Sequence, residues 1–310
     1  MLRQLISGLA TYVPGTDLCR KKGSGGAKSA RYCYSVWLRH LVMAKKNGLD
    51  AWPRVVAELG PGDALGTGYA ALISGSDRYV ALDVVAFADG ARRVDIFDEL
   101  VELFTSRASI PGDEEFPGAR PRLEDYGFPA DVLDDGRLQY ALEKSRIQKI
   151  RDAVANPESE NSPVRYVVPW YDAKVIEAGS ADMILSQAVL EHVDDLSSVY
   201  KAMHSWLRPT GYASHQVDFK SHGLATEWNG HWAYSDIVWR LIRGRKPFLL
   251  NREPHSTHIR LMTEEGYKIV CDSTTQAKSA ITMKNLAPRF RSMTDEDLIT
   301  SDAFLQAIKL

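Results

Sequence analysis

The sequence predicts a doubly wound, Rossmann-like α/β sheet, and three observations carry that prediction. Short β-rich runs alternate with stretches of helical periodicity from residue 54 to the end of the chain,. The first of these runs empties into a glycine-rich turn, Glu58-Leu-Gly-Pro-Gly62, as a strand does where it hands over to a helix beside a bound ligand. A chain of 310 residues with 45% hydrophobic content is also long enough to bury one large core,.

The elements follow in order. Residues 27–46 carry Tyr34, Leu38, Leu41 and Val42 at helical spacing and stop at Asn47-Gly48,, so residues 1–53 read as an N-terminal helical extension. A strand over 54–60, the glycine turn, a helix through Tyr69 to Ile73 and a second strand at Tyr79–Asp83 make a βαβ unit,. Between 84 and 163 the pattern turns to helices and loops broken by Pro111, Pro117, Pro121 and Pro129, which reads as an insertion. Strands resume at 165–169 and 182–186. After a helix beginning near Asp194, another strand runs over 211–215. The segment 219–254, rich in tryptophan, histidine and arginine, stands where a lid would, with an amphipathic helix over Trp232–Ile242 as the plainer reading,. A helix over 255–265 stops at Gly266, and strands at 267–271 and 304–309 close the sheet. Residues 54–310 thus form one domain.

Composition excludes some classes. Lys and Arg number 38 against 40 Asp and Glu, so nothing draws the chain to nucleic acid or an anionic membrane by net charge,. Cys19, Cys33 and Cys271 form no CxxC pair, which argues against a zinc ribbon or a disulfide framework and suits a reducing compartment,. No apolar run approaches the roughly 20 residues that span a bilayer. The expectation is a cytoplasmic protein.

Gly60 and Gly62 let a cofactor approach the backbone, and Asp83, ending the second strand, offers a carboxylate to an adenosine ribose,. Those features suit NAD and S-adenosylmethionine (SAM) alike. Two details favour SAM. Leu65 replaces the third glycine of GxGxxG, and Glu58 and Asp63 would repel a pyrophosphate but attract a sulfonium and an ammonium,. The full GxGxxG usual in nicotinamide-dependent oxidoreductases and epimerases is therefore absent,.

With Glu58-Leu-Gly-Pro-Gly62, Ala81-Leu-Asp83 and the run Ala181-Asp-Met-Ile-Leu-Ser-Gln-Ala-Val-Leu-Glu-His-Val193, the sequence resembles the class I SAM-dependent methyltransferases over roughly residues 53–271. Within them it looks most like the bacterial type-11-like members associated with surface-polysaccharide or natural-product pathways. The resemblance implies a seven-stranded sheet whose last strand is antiparallel. It assigns Glu58, Gly60, Pro61 and Gly62 to the amino-acid end of SAM, and Asp83 with Val84 to the ribose. Ser186 and Gln187 fall to the methionine or sulfonium side, and Trp170, Tyr171 and Asp172 to the adenine. The family's usual Gly-Asp-Ala at that last place is absent here. His192 also has a family counterpart, whose place suits a structural or cofactor-side role.

Methyl transfer to a hydroxyl needs a base near the fourth and fifth strand ends. His215 is the first choice, with Asp218 to orient it and His222 beside them,. The same H-x2-D-x3-H spacing, with Glu227 and His231, also fits a divalent metal site, which is the less favoured reading. Trp228, Trp232, Tyr234 and Trp239, interleaved with Arg243, Arg245, Lys246 and Arg252, suit a sugar or phosphorylated acceptor. The expected activity is O-methylation of a small hydroxylated acceptor such as a glycan or natural product. N-methylation and a non-catalytic partner of the same fold are the alternatives. The insertion reads as either a homodimer arm or a substrate wall.

Overall fold

The computed structural model describes residues 2–13, 29–86, 92–157, 159, 161–170 and 172–310. Helix α1 (Leu2–Ala10) is followed by α2 (Ala30–Lys46), β1 (Val55–Leu59), α3 (Gly66–Ile73) and β2 (Arg78–Leu82). Helices α4 (Arg93–Thr105), α5 (Asp135–Ala141) and α6 (Lys144–Ala155) then lead to β3 (Val164–Val167) and β4 (Ala181–Gln187). Next come α7 (Leu196–Trp206), β5 (Leu207–Asp218), α8 (Asp236–Arg243), α9 (His255–Glu264), β6 (Tyr267–Gln276), α10 (Asp295–Ile299) and β7 (Thr300–Lys309).

The seven strands form one sheet in the order β3-β2-β1-β4-β5-β7-β6. Strands β1 to β5 pair in parallel, and β7 runs antiparallel between β5 and β6. This is the expected fold. The order reverses at β1, with β2 on one side and β4 on the other, which opens the crevice where ligands of such sheets bind.

Each face has its own apolar layer. On one, Trp37, Leu38 and Leu41 of α2 pack with Tyr69 of α3 and Phe97 of α4, all buried. Ser29 caps α2 by accepting from Tyr32 N, and Gly48 at φ +97° lets the chain leave it,. The segment 1–53 therefore contributes a core helix. On the other face Tyr200, Met203 and Trp206 of α7 meet Met262 of α9 and Trp232 of the 219–254 segment. That segment does not form one helix over Trp232–Ile242. A 3-10 turn, Gly230–Ala233, ends before Ser235, whose side chain caps α8. Helix α8 is then clasped by α1, with Gly8 against the Leu241 and Ile242 carbonyls, where a Cβ would lie 1.9 Å from Leu241 O.

Between α4 and α5, residues 106–134 form neither helix nor strand. Their path is set from outside by Arg39 of α2, a fully buried guanidinium. Arg39 donates to the carbonyls of Pro111 (3.1 Å), Ala119 (3.2 Å) and Pro121 (2.7 Å), and pairs with Asp113 at 3.3 Å. A charge so enclosed is tolerated only because every direction offers an acceptor.

Strands β5, β6 and β7 run longer than expected, β5 beginning at Leu207 and β7 at Thr300. β5 extends to Asp218, because Gln216, Val217 and Asp218 stay paired with Phe304, Ala303 and Asp302 of β7. β6 runs to Gln276 for the same reason, zipped to β7 as far as Thr300.

Candidate active site

Backbone hydrogen bonds continue the ladders past the strand ends and set the sequence-derived residues in a row. Trp170 N donates to Asp83 O (3.0 Å), Asp83 N to Val167 O (3.1 Å), Gly60 N to Leu82 O (2.9 Å) and Ala188 N to Gln216 O (3.0 Å). With Leu59 paired to Ser186, the row runs along the carboxyl edge of β3, β2, β1, β4 and β5.

Gly60 and Gly62 hold φ of +62° and +72°, the left-handed region that suits glycine, with Pro61 buried between them. A Cβ on Gly60 would sit 2.5 Å from the Val189 side chain, so the turn is pressed against the loop after β4. Leu65, at φ +57°, precedes α3 without a capping side chain. The close helix–strand approach falls to Gly68, whose Cβ would lie 2.0 Å from the Tyr79 ring.

Glu58 is turned inward. It is buried, accepts from Tyr79 OH at 2.6 Å, and burial pushes its pKa up to about 7 against the hydrogen bonds of Tyr79 and Thr67,. Asp83 offers the sharper fit to a cofactor. One carboxylate oxygen accepts from Val84 N at 2.8 Å, while Oδ2 is buried without a hydrogen-bond partner. That oxygen is open to a donor, and a pair of ribose hydroxyls is a group that would fit it. Trp170 stacks edge-on against Trp206 (5.3 Å), Asp172 is exposed and caps the turn at Lys174 N (2.9 Å), and Tyr171 lies outside the described residues. Gln187 accepts at Oε1 from His40 (2.9 Å) and lies 3.5 Å through Nε2 from Arg120 O.

The first-choice base needs correction. His215 is three residues inside β5 and faces α7 and α9, fully buried, with Nδ1 on Ser186 Oγ at 2.9 Å and its ring 6.3 Å from Tyr200. Burial, with His40 and His258 nearby, pulls its pKa down to about 3. The side chain is sealed from the crevice, so it has no path to an acceptor proton. Ser186 shares that orientation and meets the crevice only through its backbone.

Asp218 and His222 do meet. Asp218 Oδ2 lies 3.4 Å from His222 Nε2, and Oδ1 lies 3.1 Å from Lys220 Nζ. Burial raises the Asp218 pKa, but the hydrogen bonds of His222 and Lys220 outweigh it and bring the value to about 2. His192 is 5.3 Å from the His222 ring, and its pKa falls to about 4 through burial and that neighbour. Beside them the carboxylate of Glu191 is buried, and burial holds its pKa well above the ordinary value against the backbone N–H groups near it.

Lys220 Nζ also reaches Asp302 Oδ2 (3.3 Å), and Asp302 Oδ1 takes Arg120 Nε (3.1 Å). This chain of charges leads into a pocket of 330 Å³ walled by Arg120, Arg122, Ser273, Thr274, Thr275 and Gln276. Sequence reasoning missed Arg120, Lys220 and Asp302; pairing of β5 with β7 brings the last two together, a contact 82 residues apart in the chain. Of the residues weighed as metal ligands, Glu227 is turned to Ser279 (3.1 Å) and His231 is buried with its pKa drawn down to about 3. Among the described residues no group of three His, Cys, Asp or Glu is gathered as a metal site, and no helix is long and apolar enough to cross a membrane.

A sheet of this order, with an acid at the end of β2 and a left-handed glycine turn after β1, defines a Rossmann-like class I methyltransferase fold. The model of a methyltransferase domain matches residues 79–272, more than half of the chain, and the chain belongs to that family: it is a SAM-dependent methyltransferase. Among solved structures, a SAM-dependent methyltransferase from Mesorhizobium loti is similar at 12% identity, covering 92% of this chain and 100% of that one with a TM-score of 0.44. Phosphoethanolamine N-methyltransferase 2 from Haemonchus contortus, in complex with SAM, is similar at 13% identity over 92% of this chain and 58% of that one, with a TM-score of 0.43. No curated protein sequence matches the chain.

Proposed function

We propose that the enzyme methylates a hydroxyl oxygen of a small polar acceptor, a sugar, glycan or natural product, in the cytoplasm, and that His222 held by Asp218 takes the proton. The observation that carries this reading is the His222–Asp218 pair at the carboxyl end of β5, 3.4 Å apart, partly exposed, and joined through Lys220 to Asp302 in the wall of the pocket. SAM, when bound, supplies an electrophilic methyl carbon. Gly60, Pro61 and Gly62 admit its amino-acid end, Asp83 and Val84 hold the ribose, and Trp170 with Asp172 borders the adenine.

Asp218 accepts at Nε2–H and fixes the imidazole tautomer, which leaves Nδ1 to accept the hydroxyl proton as the oxygen bonds to carbon. Hydroxyl and amide groups of Ser273, Thr274, Thr275 and Gln276 supply donors and acceptors suited to a polyhydroxylated acceptor,. His222→Ala and Asp218→Asn should leave S-adenosylhomocysteine (SAH) affinity within about twofold while lowering kcat by roughly 10²–10⁴. Turnover is read as SAH release across a panel of hydroxylated and amine acceptors. Full turnover in His222→Ala would remove it as the base, and turnover confined to amines would replace O-methylation with N-methylation.

A further inference from the structure

Beneath the carboxyl edge of the sheet, one buried hydrogen-bonded chain joins α2 to β4, β5 and β7, and backbone carbonyls fix its direction at both ends. Gln306 Nε2 lies 3.1 Å from His40 O and 2.9 Å from Ser214 Oγ. A carbonyl only accepts, so the amide nitrogen of Gln306 stands on this side and Ser214 Oγ accepts from it as well. The amide oxygen of Gln306 in turn accepts from Asn47 Nδ2 (3.1 Å), a nitrogen already anchored on Met43 O at 2.8 Å.

The hydroxyl hydrogen of Ser214 is then left for His40 Nδ1, 2.7 Å away. An imidazole that accepts at Nδ1 carries its proton at Nε2, and burial keeps the ring neutral by drawing its pKa down to about 4. Nε2–H donates to Gln187 Oε1 at 2.9 Å. The oxygen of Gln187 is thereby occupied, and its NH2 is turned the other way, toward the carbonyl of Arg120 at 3.5 Å, a residue that also walls the pocket. The reverse orientation of Gln187 would need a donor from Gln187 to His40 Nε2 and a donor from His40 to Ser214, leaving the Ser214 hydrogen without this acceptor.

We propose that His40 is a positioning residue: it locks Gln187 with N–H rather than C=O facing the cofactor crevice, so that Gln187 binds the carboxylate of SAM and not its sulfonium. A sulfonium is drawn to oxygen and repelled by an N–H dipole, whereas a carboxylate takes a charge-assisted hydrogen bond from it. The inference rests on the reading of Gln187 as a neighbour of the methionine part of SAM.

Calorimetric titration with SAM and with SAH separates the possibilities, because both carry the carboxylate and only SAM carries the sulfonium. Gln187→Glu should weaken both ligands by the same factor, about tenfold or more. His40→Leu, which lets the Gln187 amide turn over, should weaken both about fivefold or more with kcat retained at saturating SAM, and His40→Gln should recover most of the loss. Should His40→Leu fail to fold, Ser214→Ala releases the tautomer of His40 and is expected to act in the same direction. Tighter SAM relative to SAH in Gln187→Glu would show an oxygen-facing site and overturn the proposal. So would unchanged affinities in the His40 or Ser214 variants alongside a loss in Gln187→Glu. If Gln187→Glu alters neither ligand, Gln187 is no cofactor neighbour, and the underlying site reading is what fails.

Discussion

Gly68→Ala tests the packing that holds the cofactor turn against the sheet. The added Cβ would meet three atoms of the Tyr79 ring at 2.0, 2.1 and 2.2 Å, and the ring has nowhere to go. Tyr79 is fully buried, its hydroxyl is tied to Glu58 at 2.6 Å, and Tyr69 stands edge-on to it at 6.4 Å. Overpacking of this kind costs about 1–3 kcal/mol and more where neither partner can yield. Helix propensity returns about 1 kcal/mol for glycine to alanine. A further ~1 kcal/mol goes if Tyr79 is displaced from Glu58. The net expectation is a loss of about 2 kcal/mol or more, read from urea unfolding midpoints at constant m. Gly118→Ala, with nothing within 4 Å of its Cβ, is the matched control and should shift stability by no more than about 0.5 kcal/mol. Stability of Gly68→Ala at or above that of the parent would refute the argument that this glycine exists for close helix–strand approach.

Two further predictions concern charge. Burial lowers the pKa of His40 and His192 to about 4 and of His215, His231 and His258 to about 3. Below about pH 6.5 the unfolded chain therefore takes up protons that the folded chain refuses, and stability falls as pH drops toward 4. Glu58, at about 7, and Glu191, raised, work in the opposite sense. His204 is lowered and Asp83 raised as well, so six sites against three leave a net of about three protons, or about 4 kcal/mol per pH unit,; urea midpoints that stay flat or rise between pH 6.5 and 5 would contradict it. Asp83→Asn keeps the shape of the side chain but weakens its acceptor, so SAH affinity should fall about 10- to 100-fold with little change in urea midpoint; an unchanged dissociation constant would sink the ribose assignment.

How much of this was legible in the sequence varies by element. The seven strands were readable because runs such as Tyr79–Leu82 and Met183–Leu185 are short, apolar and bounded by turn residues,. The end of β5 was not, because Gln216 and Asp218 look like loop residues and become strand only through pairing with β7. That single error put His215 at a strand tip and cast it as the base. Pairing also explains why Asp302 escaped notice: nothing local marks an acid that matters only opposite Asp218. His40 and Gln187 stand 147 residues apart, and no spacing rule reaches that far. The glycine turn and Asp83 were legible because their chemistry is local, with backbone and side chain within one turn.

The buried Arg39 has a consequence for how such an enzyme changes its acceptor. Residues 106–134 take part of their course from a side chain on a neighbouring helix, alongside the buried Ile110 and Leu133 that they give to the core. The exposed side chains among them have less to do in keeping the backbone in place, and Arg120 and Arg122 stand in this segment at the pocket. The wall of the pocket can drift in sequence while its scaffold stays put, provided the carbonyls of Pro111, Ala119 and Pro121 still converge on one guanidinium. New specificity could then arise by rewriting a loop whose mould lies elsewhere, with the sheet and the cofactor turn left untouched.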